Sequence, residues 1–291
     1  MRRLNPKSFE YHAPKSVAEA SSLAEKYGMD AKFLAGGQSL IPLMKLRILS
    51  PSHLIDLGRI PGLSYIRDEG NDLAIGAMER MAEIARSDLV RRQCPILSQC
   101  ARQIADPLVR NMGTIGGNLS HADPTNDMPA VMVATGASIV TGSDRGSRVI
   151  PAGDFFVDTF TTALKGTEVL VEVKVPIGPS RRGAYLKLER QAGDFGIVGV
   201  AAVLEIASDG RCTAAGIALT GVGPTVVKAT RAGEILKETK LDKNTVDRAS
   251  KAAAEEAQPS GDLRGSAEYK RAMVEIMTAR AIQAAARRQA R

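Results

Sequence analysis

Two glycine-bearing segments hold the residue types best suited to chemistry in this 291-residue chain. The first is Leu34-Ala-Gly-Gly-Gln-Ser-Leu40. The second runs from Asn111 through Gly113, Thr114, Ile115, Gly116, Gly117 and Asn118 to Asp123, Asp127 and Pro129. A diphosphate carries two negative charges and needs several donors at close range. Backbone N–H groups at a helix start supply them if no Cβ blocks the approach, and glycine removes that block. Gly36 and Gly37 follow a short apolar stretch and precede a helical pattern, with the Gln38 and Ser39 side chains as further donors. Thr114 and Asn118 flank Ile115, Gly116 and Gly117 in the same way. Either double glycine alone reads as a tight turn; two such loops in one domain point to a dinucleotide gripped from opposite sides.

Asp123 and Asp127 admit two readings. Asp127 precedes Met-Pro-Ala and suits the N-cap of a helix; alternatively, a carboxylate here accepts hydrogen bonds from sugar or ribityl hydroxyls. His121 has no Ser, Cys or acid arrangement around it that spells a hydrolytic triad, and reads as a structural or hydrogen-bonding residue. No G-x-x-x-x-G-K-[ST] run occurs, which excludes a P-loop. Gly221-Val-Gly-Pro-Thr225 lacks the third glycine of a dinucleotide fingerprint and reads as a turn.

The elements that must position these loops follow from pattern. Ser16 to Glu19 forms a capping box ahead of a helix that Gly28 ends. Lys32–Ala35 is a strand, residues 39–47 a helix with Pro42 in its first turn, and His53–Leu57 a strand. Residues 63–76 read as a hairpin turning at 69–72. Helices are expected over 79–86, 89–104 and 128–135, with a hairpin at 137–150 and a strand at 168–175 stopped by Pro176. Beyond it, strands are expected at 184–190, 198–207 and 212–220, then helices near 229–238, 243–257 and 266–289. Strands and helices mix without regular β-α-β alternation, which argues for α+β.

Composition bounds the rest. A hydrophobic content of 44% with 24% charged residues is that of a soluble globular protein. No run of about 18 apolar residues predicts a membrane span. Residues 1–6 have no apolar stretch behind their charges, so a cytoplasmic location is the expectation. Cys94, Cys100 and Cys212 are too few and too scattered for a disulfide framework, a thiolate metal site or an iron–sulfur cluster. The net charge of +7 comes with 4% aromatics and no tryptophan, against a nucleic-acid stacking surface. Lys270, Arg271, Arg280, Arg287, Arg288 and Arg291 read instead as a solvated helix face, or as a docking surface for an acidic partner.

Ala35-Gly-Gly-Gln-Ser39 and Thr114-Ile-Gly-Gly-Asn118 closely resemble the flavin loops of the molybdenum hydroxylases, in particular their FAD-binding middle subunit. The resemblance spans essentially the whole chain. It includes Met44-Lys-Leu-Arg47 with Leu54-Ile-Asp-Leu57, Ala122-Asp-Pro through Asp127-x-Pro129, and Tyr185-x-Lys187, Gly193-Asp-Phe195 and Val198-Gly-Val-Ala201. It implies an α+β protein: a two-lobed FAD domain of the vanillyl-alcohol oxidase (PCMH) type over 1–176, with lobes of roughly 1–57 and 58–176. A domain of three antiparallel strands and a three-helix bundle follows over 177–291. By the same resemblance Leu34, Ala35, Gly36, Gly37, Gln38, Ser39 and Leu40, with Thr114, Ile115, Gly116, Gly117 and Asn118, clasp the diphosphate of a non-covalent FAD. Asp127, with Asp123 close by, meets its hydroxyls; Leu170 packs near the isoalloxazine or presents its backbone there, Lys187 approaches the ring, and Ile104 joins the site. Gln38 stands where the carbon monoxide enzymes often have His, so carbon monoxide is not singled out as substrate.

The resemblance also implies a division of labour. A large molybdopterin subunit oxidises the substrate, a small subunit passes electrons through two [2Fe–2S] clusters, and this chain's FAD hands them on, in a dimer of heterotrimers. No catalytic acid or base and no metal ligand is then expected on this chain. Two other classes stay open on the sequence: a free-standing flavin-dependent reductase of the same fold, and a flavin-free scaffold or binding module.

Overall fold

The structure, a computed structural model, describes residues 5–287. Among the described residues, three larger sheets and the two-stranded pair Phe156–Asp158 and Thr161–Thr162 carry it. In the first, Glu10–His12, His53–Asp56 and Ala31–Leu34 lie side by side in that order, both pairings parallel. The middle strand is thus the last of the three in sequence. Helix Val17–Tyr27 covers this sheet, and its start is set by side chains. Ser16 Oγ accepts from the Glu19 N–H at 3.1 Å, while Glu19 Oε2 accepts from the Lys15 N–H at 2.7 Å. Its Ala20 and Ala24 pack against Ile55, Leu57 and Val169.

The second sheet is antiparallel, ordered Ile66–Asp68, Asp72–Gly76, Val169–Pro176, Ser138–Ser143, Gly146–Pro151. The third runs Arg181–Leu188, Val198–Ile206, Cys212–Thr220 and the two-residue Val227–Lys228 at its edge. Helix Asp127–Thr135 is buried at every position and packs on Val198–Ile206 and Cys212–Thr220. A helix apolar all round must sit inside the protein, and this one joins the sheets into one interior. Helices Thr230–Leu236, Lys243–Glu256 and Ala267–Arg287 close the far face of the third sheet over an alanine-rich core.

Several boundaries differ from expectation for local reasons. The single helix expected over 89–104 is two, Asp88–Gln93 and Pro95–Gln103, because Pro95 lacks the N–H needed to continue the first and opens the second. A helix at Pro107–Met112 was not anticipated; Asp106 caps it by accepting from the Val109 N–H. The strand expected at 184–190 begins at Arg181 and ends at Leu188. Lys270, expected on a solvated face, is only 3% exposed, and its ammonium meets Asp262 at 2.9 Å and Ser260 O at 3.1 Å. Arg271, Arg280 and Arg287 are exposed as expected; Arg288, Arg291 and the expected helix end at 289 lie outside the described residues. No helix among those described is long and apolar enough to cross a membrane.

Candidate functional site

Both glycine segments open onto one cavity of about 860 Å³, within the range of sites for small molecules and cofactors. Strand Ala31–Leu34 delivers the first and helix Leu40–Lys45 leaves it. The second starts helix Ile115–His121. The two are in backbone contact: a Cβ on Gly36 would stand 2.2 Å from Met112 O and 2.8 Å from the Gly113 Cα, and one on Gly117 would lie 3.2 Å from the Ala35 Cβ. Gly36 is required because main chain meets main chain there.

The segments differ in what they offer a ligand. Among the described residues, the N–H groups of Gly36, Gly37, Gln38, Ser39 and Leu40 have no acceptor in the protein. In the second segment the helix-start donors are already engaged. Ile115 N–H goes to Glu79 O at 3.0 Å, Gly116 N–H to Ala77 O at 2.8 Å, Gly117 N–H to Thr114 Oγ1 at 3.2 Å, and Asn118 N–H to Thr114 O at 3.0 Å. The expected pair of main-chain cradles is therefore one cradle, from the first loop, and one polar wall. That wall includes the Asn118 side chain, whose Oδ1 is buried without a partner. Unpaired main-chain donors and an unpartnered buried amide oxygen at one cavity fit a polyanionic, hydroxyl-bearing group.

Of the sequence-predicted residues, Ala35 to Leu40, Ile104, Thr114, Gly116, Gly117, Asn118, Asp127, Leu170 and Lys187 line the cavity. Leu34 and Ile115 do not; Ile115 is fully buried in the core behind the loop. Asp123 does not either, since its Oδ1 closes a turn by accepting from Thr125 N–H at 2.8 Å and Thr125 Oγ1 at 2.6 Å. Gln38 folds back, donating to Gly36 O at 3.1 Å. His121 lines the cavity and lies 5.1 Å from the Phe160 ring, with burial pushing its pKa down. Gly221–Thr225 is irregular chain, as read.

The capping reading of Asp127 is corrected: Asn126 is the N-cap, and Asp127 is the first residue of the helix. Its carboxylate instead accepts from the Tyr185 hydroxyl and from Lys187 Nζ, the latter at 3.1 Å. Lys187 Nζ also reaches Glu189 at 3.2 Å and Gln103 O at 3.0 Å. Lys187 is thus not a bare cation facing the cavity but one set between two carboxylates. Burial pushes the Asp127 carboxyl up, against the pull of Lys187 and Tyr185, and pushes the Tyr185 phenol up strongly. Tyr185, Gln103 and Glu189 were not singled out as site residues. The signal for two of them was present: Tyr185, Lys187 and Glu189 alternate, and period two places them on one face.

A second acid at the cavity, Glu168, is held by Arg148 through two contacts of 2.7 Å and by the Lys165 N–H at 2.8 Å, which keep its carboxyl below the usual range.

Residues 7–178 match the model of the FAD binding domain in molybdopterin dehydrogenase, and residues 183–285 that of the CO dehydrogenase flavoprotein C-terminal domain. The chain belongs to this flavoprotein family. It is 45% identical to the carbon monoxide dehydrogenase medium chain of Hydrogenophaga pseudoflava, over 96% of this chain and 98% of that one. It is 43% identical to the medium chain of Afipia carboxidovorans, over 96% and 97%. The solved Hydrogenophaga pseudoflava carbon monoxide dehydrogenase that lacks the Mo-pyranopterin moiety superposes with a TM-score of 0.94 at 46% identity, covering 96% and 98% of the two chains. The family makes this chain the FAD-binding subunit of a molybdenum-containing oxidoreductase, with the molybdenum cofactor on other subunits. Relatives named as medium chains are each one part of a multi-subunit enzyme.

Proposed function

We propose that the shared cavity is the FAD site, with the unpaired N–H groups of Gly36 to Leu40 as the diphosphate cradle. Asn118 and the edge of the Asp127 cluster then face the sugar or ribityl hydroxyls, and Leu170 faces the ring. The observation that carries this reading is the set of free main-chain donors in the same cavity as the unpartnered Asn118 Oδ1. Bound FAD supplies the redox chemistry; the chain binds it, orients it and sets its electrostatic surroundings.

Electrons reach this chain from a small [2Fe–2S] subunit, served in turn by a large molybdopterin subunit, in a dimer of heterotrimers, and leave to an external acceptor. The thiols support this dependence on partners. Cys94, Cys100 and Cys212 are buried, and burial pushes their thiols up, those of Cys94 and Cys212 to about 11; three such thiols are fewer than the four a cluster needs. The location proposed is the cytoplasm, and the chain divides at 176/177 into flavin and C-terminal domains.

Purification of the full chain with and without its encoded neighbours tests this reading. Flavin absorbance near one FAD per chain, and co-purification with molybdenum and iron–sulfur subunits, is the expected result. A flavin-free chain that takes up no added FAD would overturn it, and a flavin-bound chain active alone with a nicotinamide would favour the free-standing reductase.

A further inference from the structure

Away from the cavity, two of the chain's three histidines converge on one carboxylate. Strand Glu10–His12 lies parallel to His53–Asp56 with Glu10 opposite His53. Period two puts Glu10 and His12 on one face of their strand. His12 Nε2 and His53 Nδ1 are 3.1 Å apart; Glu10 Oε2 is 3.4 Å from His53 Nδ1 and 3.9 Å from His12 Nε2. Among the described residues, no other group of three or more His, Cys, Asp or Glu side chains converges in this way.

We propose that Glu10, His12 and His53 form a binding site for a divalent transition-metal ion, of which zinc is the redox-inert representative. The distances carry the argument. Ligand atoms bound at about 2.0–2.1 Å around a tetrahedral ion stand roughly 3.3 Å from one another. Two of the three separations already lie near that value. The third closes by turning the Glu10 carboxylate, which is free to move because its side chain is 71% exposed.

The imidazoles are held in advance of any ion. The Tyr27 ring, at the end of helix Val17–Tyr27, stacks on His53 at 3.7 Å and 14° and on His12 at 5.0 Å and 26°. Main-chain bonds from Glu10 N–H to Ser52 O at 2.8 Å and from Ser52 N–H to Asp30 O at 2.9 Å fix the strand ends. The imidazole side chains keep 19% and 17% of their surface exposed, leaving a path for the ion and a fourth position for water. Two nitrogens and one carboxylate oxygen suit zinc, copper(II), nickel or cobalt rather than magnesium or calcium, which take all-oxygen shells.

The consequence is mechanical. None of the three residues lines the cavity, but His53–Asp56 is hydrogen-bonded on its other side to Ala31–Leu34, the strand that delivers Gly36. An ion joining Glu10, His12 and His53 ties the outer strand to the middle one beneath the first loop, and stabilises the folded chain because it binds only the assembled sheet.

The test uses the full chain, tag-free and stripped with a chelator, titrated calorimetrically with zinc chloride. The expected result is one equivalent of zinc, a melting temperature raised by roughly 5 °C at about a hundredfold excess over the dissociation constant, and no response to magnesium. Cobalt(II) should give the visible bands of a four-coordinate nitrogen–oxygen site. His12→Ala and His53→Ala should abolish both signals, and His121→Ala should retain them. Should either alanine variant fail to fold, Glu10→Gln decides, because its exposed side chain supports no core; zinc affinity should fall at least about tenfold. Absence of zinc binding in the parent chain, or zinc binding in Glu10→Gln and His12→Ala as tight as the parent's, would overturn the assignment and leave the imidazoles as a hydrogen-bonded pair.

Discussion

Gly36→Ala is the sharpest test of the cradle. The added Cβ would lie 2.2 Å from Met112 O, 2.9 Å from the Met112 carbonyl carbon and 2.8 Å from the Gly113 Cα. Ordinary non-bonded contacts need about 3.5 Å, so the two loops must part by roughly 1 Å, and both obstacles are main chain that cannot swing aside. Overpacking of this kind costs about 1–3 kcal/mol of stability. The effect on flavin is larger. A shift of about 1 Å carries N–H groups near 2.9 Å from a phosphate oxygen out of hydrogen-bond range, and each charge-assisted bond is worth about 1.5–3 kcal/mol. Losing two weakens FAD binding by roughly 10²–10⁴-fold. The assay is titration of apoprotein with FAD, followed by quenching of flavin fluorescence, with the apoprotein melting temperature measured separately. Gly70→Ala is the control: it has φ +82° in a turn, nothing lies within 4 Å of its added Cβ, and it does not line the cavity. It should lower stability and spare the flavin. A Gly36→Ala chain that folds and binds FAD within threefold of the parent would refute the cradle.

Asn118→Ala should weaken FAD binding by about tenfold with little change in melting temperature, because its Oδ1 has no partner in the protein to lose; a lower melting temperature with intact flavin affinity would make Asn118 structural. Lys187→Met leaves Asp127 and Glu189 without their cation, and should lower both stability and the flavin midpoint potential. Burial already favours the protonated Asp127 carboxyl, so that drop in potential should shrink as pH falls and Asp127 takes up a proton; spectroelectrochemical titrations at several pH values check it, and an unchanged potential throughout would separate the cluster from the flavin. Arg148→Ala should lower the melting temperature by roughly 3–6 °C at pH 7. Glu168 has a depressed pKa in the folded chain, so its pairing stabilises above the ordinary carboxylate pKa and is lost as pH falls through the folded value; melts from pH 7 to 3 should show parent and variant converging.

What the sequence made legible was local. The capping box at Ser16, the two glycine segments and the long antiparallel strands each announce themselves within a dozen residues. The break at Pro95 and the cap at Asp106 are equally local, but the apolar pattern runs on across Pro95 and the glycines dominate the stretch that follows Asp106. Other features depend on pairings distant in the chain. The N–H groups of Ile115 and Gly116 are taken by Glu79 and Ala77, carbonyls almost forty residues earlier, so a motif shared by two loops hides two different hydrogen-bonding states. Asp127 likewise reads as a helix cap until Tyr185 and Lys187, on a strand sixty residues away, are brought to it.

That contact changes where the site's electrostatic influence must come from. A lysine near a flavin ring would favour the reduced, anionic form by simple attraction, but Lys187 stands 3.1 Å from Asp127 and 3.2 Å from Glu189, and opposite charges at such separations cancel most of each other's field beyond the cluster. Positive character left at the cavity lies in the N–H groups from Gly36 to Leu40, whose partial charges are fixed by the backbone and do not titrate, and in Lys32 and Lys165, which also line it. Binding strength should therefore follow the geometry of the first loop, while pH-dependent tuning of the potential should follow Asp127. The two properties are separable by mutation because they reside on different segments of the chain.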